Sequence, residues 1–475
     1  MGGLAVAARL AAKRHDVTVF EQAATAGGKN AGLTRDGFTF DLGPSTLTLP
    51  AVYRDLFLKT GRSLEESVDL REVDPAFAYH FADGSSVTMP GAGVGASAHA
   101  IGEAFGSTSE QEWRALLRRA GDIWALTRQD VLGSALDGYR DLLPLARSRR
   151  SLQTVAPWQT MRSLGKATLS DPRTRTILDR YATYTGSDPR RSPAALVTIP
   201  FIEQTFGVWH IAGGLHTLAT ALYERCLQLG VNFHFNVNVE RITTDRRGVT
   251  GVVADKAHEF DLVVADADAR TVYSTLLDDP RTRDPLRKMG RMQPSFSGFV
   301  MLLAVKGTTP GIQHHNVWFP ADYDAEFDGL FAKKPAPLDD PAIYACVPDD
   351  PLMRPDGHEA WFVLINAPAG LAWDAVAQGY ADHILDVLAK RGVDLRDRLL
   401  WRELRTPDDL AQATVSPGGS IYGMSSNGRL STALRPANRS PVPGLFLVGG
   451  SAHPGGGLPL VGMGAEIVAE QIGRA

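Results

Sequence analysis

The C-terminal segment from residue 445 onward constrains this chain more than any other part of it. Leu445-Phe446-Leu447-Val448 is a short apolar run of the buried-strand type. It enters GGSAHPGGGLPLVGMG (449–464), and a helical pattern from Ala465 to Ile472 closes the chain. A strand, a glycine-rich turn and a helix together make a cradle for an anion, because the turn gathers backbone N–H groups and the helix N-terminus adds its dipole. The glycines cluster at both ends: of 47 in 475 residues, nine fall in 444–475 and seven in 1–43. Both ends therefore need backbone that something can approach closely.

The N-terminal end reads as the complement of the C-terminal one. LAVAARLAAK (4–13) predicts a small-residue helix, followed by the strand Val17-Thr18-Val19-Phe20 closed by Glu21. In a dinucleotide-binding βαβ unit the helix N-terminus faces a pyrophosphate and the acid ending the second strand takes a ribose. Glu21 lies 18 residues after Gly3, as it would if Gly3 were the last glycine of G-x-G-x-x-G. The first strand and the earlier glycines of that motif lie outside the sequence, so the pattern predicts a chain starting inside the motif, short by about ten to fifteen residues. Gly27-Gly28-Lys29 and the strand-like Phe38-Thr39-Phe40-Asp41-Leu42, broken by Gly43-Pro44, follow.

Between the ends, residues 108–181 carry a helical period through Trp113, Leu116, Leu117 and Ala120. Gly213-Gly214 opens a helix with one apolar face at Leu215, Leu218, Ala219, Leu222, Cys226 and Leu229; that placement makes Cys226 a core residue. Strand-like alternation runs from Val231 to Val239 and returns at 249–254 and 260–265. A helix feeding a strand is a crossover unit, so this block is expected to rejoin the sheet begun at residue 17. Residues 296–305 and 361–367 predict strands of a second sheet, and 371–391 a helix. The fold class is therefore α/β: a discontinuous Rossmann-like domain lacking its first strand (1–70, 205–270 and 415–475) and a mixed α+β substrate and membrane-contact domain (71–204 and 271–414).

Several classes of function are disfavoured. A net charge of −4 gives no general attraction to nucleic acid. Two cysteines make neither a disulfide framework nor a four-ligand zinc site, and the scattered histidines lack ligand spacing, so no metal is expected and a reducing, cytoplasmic compartment is. No run of 18 apolar residues or signal-peptide pattern occurs, and no G-x-S-x-G elbow.

With these residues in hand, the whole chain resembles the bacterial carotenoid desaturases, the phytoene-desaturase family of FAD-dependent oxidoreductases. The carriers are Met1-Gly2-Gly3-Leu4 with Glu21, Gly27-Gly28-Lys29, Phe40 to Ser45, Gly207-Val208-Trp209 with Gly213-Gly214-Leu215, and GLFLVGGSAHPGGGLPLV near the end. The resemblance implies FAD, with Gly3 at the pyrophosphate and Glu21 at the adenosine ribose. It places Gly27, Gly28 and Lys29 beside the phosphates, Gly43 and Pro44 near the flavin, and Val239 at the adenine. Gly449 and Gly450 would approach the pyrophosphate and ribityl chain, and Gly457, Leu458, Pro459 and Val461 the isoalloxazine.

The resemblance also implies hydride transfer to flavin from a C40-type polyene, with oxygen or a quinone as electron acceptor. His453 is the one titratable side chain in the C-terminal turn and the candidate proton acceptor. A water-insoluble substrate implies peripheral contact with the inner face of the cell membrane. Leu142, Leu143, Leu145, Val155 and Trp158 with Arg147, Arg149 and Arg150 are the candidate surface. The alternatives are a carotenoid ketolase or oxygenase, an amine-oxidase-like flavoenzyme, and a cofactor-less non-enzymatic remnant. The amine oxidase is disfavoured because residues 451–475 contain no aromatic side chain to stand before a flavin.

Overall fold

The computed structural model describes residues 1–146, 148–429 and 431–475. Helix α1 (Gly2–Ala12) buries Leu4, Ala5, Val6, Ala7, Ala8 and Leu10. Its many alanines let neighbours approach closely, and Lys13 ends it before β1 (Thr18–Glu21). Helix α2 (Thr217–Gln228) buries Leu218, Ala219, Leu222 and Cys226. Gly230 follows at φ +84, the left-handed conformation that turns the chain off a helix end. The chain then enters β2 (Asn232–Phe235), which pairs in parallel with β1 from Thr18↔Asn232 to Glu21↔Phe235. This is the expected crossover. Strand β3 (Val263–Ala265) pairs in parallel with β4 (Leu445–Leu447), which brings the C-terminal segment back to the same half of the molecule.

The last helix, α3 (Leu458–Ile472), packs Ala465, Val468 and Ala469 into one core with Leu4 and Ala8 of α1 and Leu222 and Cys226 of α2. Each buried leucine there contributes about 2 kcal/mol from removed apolar surface. Cys226 donates its thiol to the Leu4 carbonyl at 3.4 Å, and burial pushes the thiol up to about 12. Pairs β1–β2 and β3–β4 form separate two-stranded sheets, and no described strand joins them.

The second sheet has seven strands, in the order Leu399–Arg405, Ser297–Lys306, His358–Ala367, Ile343–Cys346, His315–Trp318, Phe77–His80, Ser86–Met89. Its strand Ser297–Lys306, second from one edge, reads as a long apolar run because both faces are covered. Phe299, Met301 and Leu303 pack with Tyr380 and Ile384 of the helix Ala377–Lys390, whereas Val300, Leu302 and Ala304 face the opposite core.

One boundary corrects the sequence expectation in a way that matters for the site. Helix α3 starts at Leu458, seven residues before Ala465, with Pro459 in its first turn. Proline is accommodated there because the first N–H groups of a helix have no partner within it. Leu458, Pro459 and Val461 thus belong to a helix start and not to the glycine turn.

Candidate active site

The two glycine-rich ends meet. A methyl group on Gly2 would lie 3.0 Å from the backbone nitrogen of Gly449 and 2.8 Å from Asp266 Oδ1. Around this junction opens a cavity of about 1000 Å³, lined by Gly3, Glu21, Gly27, Gly28, Lys29, Gly43, Pro44, Val239, Gly449, Gly450, Gly457, Leu458, Pro459 and Val461. At Gly449, φ is +94 and a Cβ would stand 2.2 Å from Asp266 Oδ1, so no other residue fits without rearrangement.

The polar groups along this half are already engaged in specific ways. The N-terminus of α1 faces Asp266: Gly3 N–H donates to Oδ2 at 2.6 Å, and the terminal ammonium lies 3.5 Å away. The helix end expected to receive a pyrophosphate therefore carries a carboxylate. Glu21 accepts the Ala23 N–H at 2.9 Å from the cavity wall. Lys29 donates to the carbonyls of Ser420 and Ile421, both at 2.9 Å, and so fastens its loop to the C-terminal part. Burial lowers the Lys29 ammonium to about 8. Arg435 lies on the same wall and donates to the carbonyls of Gly450 and Met424 at 2.8 Å each, which braces the glycine turn from behind; burial lowers it to about 10.

The other half of the cavity is an apolar arm walled by Ile199, Ile202, Val300, Val317, Phe362 and Leu364. Where the halves meet, Ser45 Oγ and Tyr344 OH are hydrogen-bonded at 2.7 Å, and Tyr344 OH reaches His315 Nδ1 at 2.8 Å. Arg180, Tyr184 and Glu203 complete this polar zone. The donors of His314, His315 and Cys346 come within 4.8 Å of one another behind it, a grouping that sequence spacing concealed. Burial holds both imidazoles well below the usual histidine range.

His453 is a correction. It is 1% exposed, is not part of the cavity wall, and its Nε2 is hydrogen-bonded to the Ser134 carbonyl at 3.0 Å. Burial lowers it to about 4. Its ring ties the turn to a neighbouring loop. The argument from missing aromatics is corrected too: Tyr422 and Tyr344 supply aromatic walls from outside the C-terminal segment, and a Cβ on Gly456 would lie 2.6 Å from the Tyr422 ring.

The pattern described as "Flavin containing amine oxidoreductase" matches residues 1–472. Among curated proteins, the chain is 32% identical to the zeta-carotene-forming phytoene desaturase of Myxococcus xanthus, across 99% of this chain and 92% of that one. It is 31% identical to the 4,4'-diapolycopene oxygenase of a Methylomonas species (99% and 96%), and 30% identical to the 1-hydroxycarotenoid 3,4-desaturase of Flavobacterium sp. strain P99-3 (99% and 97%). The chain belongs to the carotenoid desaturase and oxygenase family of flavin-containing amine oxidoreductases. Solved structures agree on the fold: putrescine oxidase superposes with TM-score 0.65 at 16% identity (99% of this chain, 96% of that one). Cyclohexylamine oxidase of Brevibacterium oxydans gives 0.62 at 13% (99% and 96%). These alignments run over nearly the whole of each relative.

Membership in this family brings a flavin, and the residues present fit one. At Gly43 and Gly449 the backbone packs where a Cβ would strike the Lys29 carbonyl and Asp266 Oδ1, which draws the glycine-rich walls close together, and the Glu21 carboxylate and an apolar arm line the same cavity. For this carotenoid desaturase and oxygenase family member, the residues that sequence reasoning missed are Asp266, Arg435, Arg180, Glu203 and Tyr344. Each lies far in sequence from the glycine motifs and carries no local signature. Among the described residues, no helix is long and apolar enough to cross a membrane. Of the candidate membrane surface, Leu143 is 60% and Trp158 48% exposed; Arg147 and the side chain of Leu145 lie outside the described residues.

Proposed function

We propose that the chain is an FAD-dependent carotenoid desaturase that introduces double bonds into a C40-type polyene. The carrying observation is the continuity of the glycine cradle with the apolar arm in a single cavity. When bound, FAD supplies a two-electron acceptor for hydride from a saturated carbon. The chain's own residues do the rest. Glu21 is the acceptor for ribose hydroxyls, and its charge disfavours an additional phosphate there. The arm from Ile199 to Leu364 strips water from the polyene and aligns it. A proton leaving the neighbouring carbon meets Ser45 Oγ and Tyr344 OH, hydrogen-bonded onward to His315 Nδ1. Oxygen or a quinone would be the final electron acceptor, and the exposed Leu143 and Trp158 serve contact with the inner face of the cell membrane.

Expression of the gene in cells supplied with phytoene or hydroxylated carotenoids tests this reading. A red shift of the polyene absorbance with flavin-loaded protein is expected, and no shift with any carotenoid overturns it. A second reading, carotenoid oxygenase, draws on the 31% identity to the 4,4'-diapolycopene oxygenase. Mass spectrometry separates the two, since desaturation removes two hydrogens and oxygenation adds oxygen.

A further inference from the structure

The inference rests on reading the cavity as a polyene site. Its apolar arm suits a hydrocarbon, but a buried cation stands on the wall. Arg180, the last residue of the helix Pro172–Arg180, lies on the cavity wall at 8% exposure. A guanidinium has five N–H donors. Among the described residues, its hydrogen bond to the protein runs from Nη1 to the Tyr184 hydroxyl at 3.0 Å. Its Cζ stands over the Tyr184 ring at 5.1 Å, over Tyr344 at 5.5 Å and over Phe77 at 5.6 Å. The rings attract the cation by their faces, and among the described residues Nε and Nη2 make no hydrogen bond to the protein.

Glu203 does not take up those donors. Its carboxylate accepts from Tyr181 at 2.5 Å and Tyr184 at 3.1 Å, so Arg180 reaches it through the Tyr184 hydroxyl. Burial also holds the Glu203 carboxyl above its usual range, which weakens it as a counter-charge. A buried cation with unused donors is costly unless an acceptor arrives. A pure hydrocarbon would expel water from these donors and supply nothing in exchange.

We infer that Arg180 is a specificity-determining residue that donates hydrogen bonds to an oxygen, hydroxyl or carbonyl, carried near the end of the polyene substrate. Tyr184 and Tyr344 stand against the guanidinium while that oxygen meets its unused N–H donors. The cavity would then take an oxygenated polyene in a fixed direction, with the oxygen end at Arg180.

The test compares flavin-loaded wild-type protein with Arg180→Met and Arg180→Lys, each checked for flavin content. The probes are an acyclic carotenoid hydrocarbon and its 1-hydroxy derivative in detergent micelles. Dissociation constants come from the polyene absorbance change, and KM and kcat from turnover. The wild type is expected to favour the hydroxylated compound by at least about tenfold in Kd and KM. Arg180→Met should bring the two compounds close to parity, and Arg180→Lys should retain part of the preference. Equal handling of the pair by the wild type, or a preference that survives in Arg180→Met with flavin retained, overturns the inference. A binding preference lost in Arg180→Met without turnover of either compound sinks the desaturase reading and leaves the assignment of Arg180 standing.

Discussion

The carbonyl oxygen of Lys29 fills the space that a side chain on Gly43 would need: a Cβ there would lie 1.7 Å from it. Backbone cannot yield as a flexible side-chain tip can. Gly43→Ala is therefore expected to displace the loop of Gly27, Gly28 and Lys29 and to abolish flavin retention. The 450 nm absorbance of the purified variant reads this, and full flavin content would contradict it.

His453 gives a pH signature. Its folded-state pKa is lowered from the usual 6.5 to about 4 by burial. Between those values the unfolded chain binds the proton and the folded one does not, so stability falls as pH drops from 6.5 towards 4. The full effect is about 3 kcal/mol. His453→Gln should flatten this part of the stability curve in urea titrations at pH 4.5 and 7, and turnover should stay within about twofold, since the ring lies off the cavity.

Tyr344→Phe removes the hydroxyl between Ser45 and His315 while keeping the ring beside Arg180. Loss of a proton-transfer partner typically costs on the order of a hundredfold in rate. We expect kcat to fall by at least about tenfold with flavin content unchanged. Unaltered kcat would remove this chain of hydrogen bonds from the reaction.

Trp158 is about half exposed, and Leu143 is exposed as well. If this face meets lipid, Trp158→Glu should reduce co-flotation with anionic liposomes several-fold without changing the melting temperature by more than a degree or two. Equal flotation of both proteins would place the contact elsewhere.

Much of this architecture is legible in the sequence, for identifiable reasons. The cofactor half is built from local patterns: the alanine-rich helix, the strand ending at Glu21, the single apolar face of Leu218, Leu222 and Cys226, and the glycine turns. Each is set by neighbours within a few residues. The cradle residues could therefore be named from motifs, and they do line one cavity. The polar zone is different. Ser45 and Tyr344 are hydrogen-bonded across 299 residues, and Arg435 braces Gly450 through a contact that no periodicity encodes. His453 stands out in the sequence because a titratable group inside a glycine turn suggests chemistry, and its buried partner, the Ser134 carbonyl 319 residues away, is invisible there.

The split between β1–β2 and β3–β4 bears on what a bound nucleotide does for the half of the molecule that holds it. The two ribbons share no ladder of hydrogen bonds, and their facing sides, Val17 to Glu21 and Val263 to Ala265, both open onto the cavity. A nucleotide touching both acts as a clasp, and its binding adds to the stability of that half by mass action, about 2.7 kcal/mol at a hundredfold excess over Kd. The seven-stranded sheet has no such dependence.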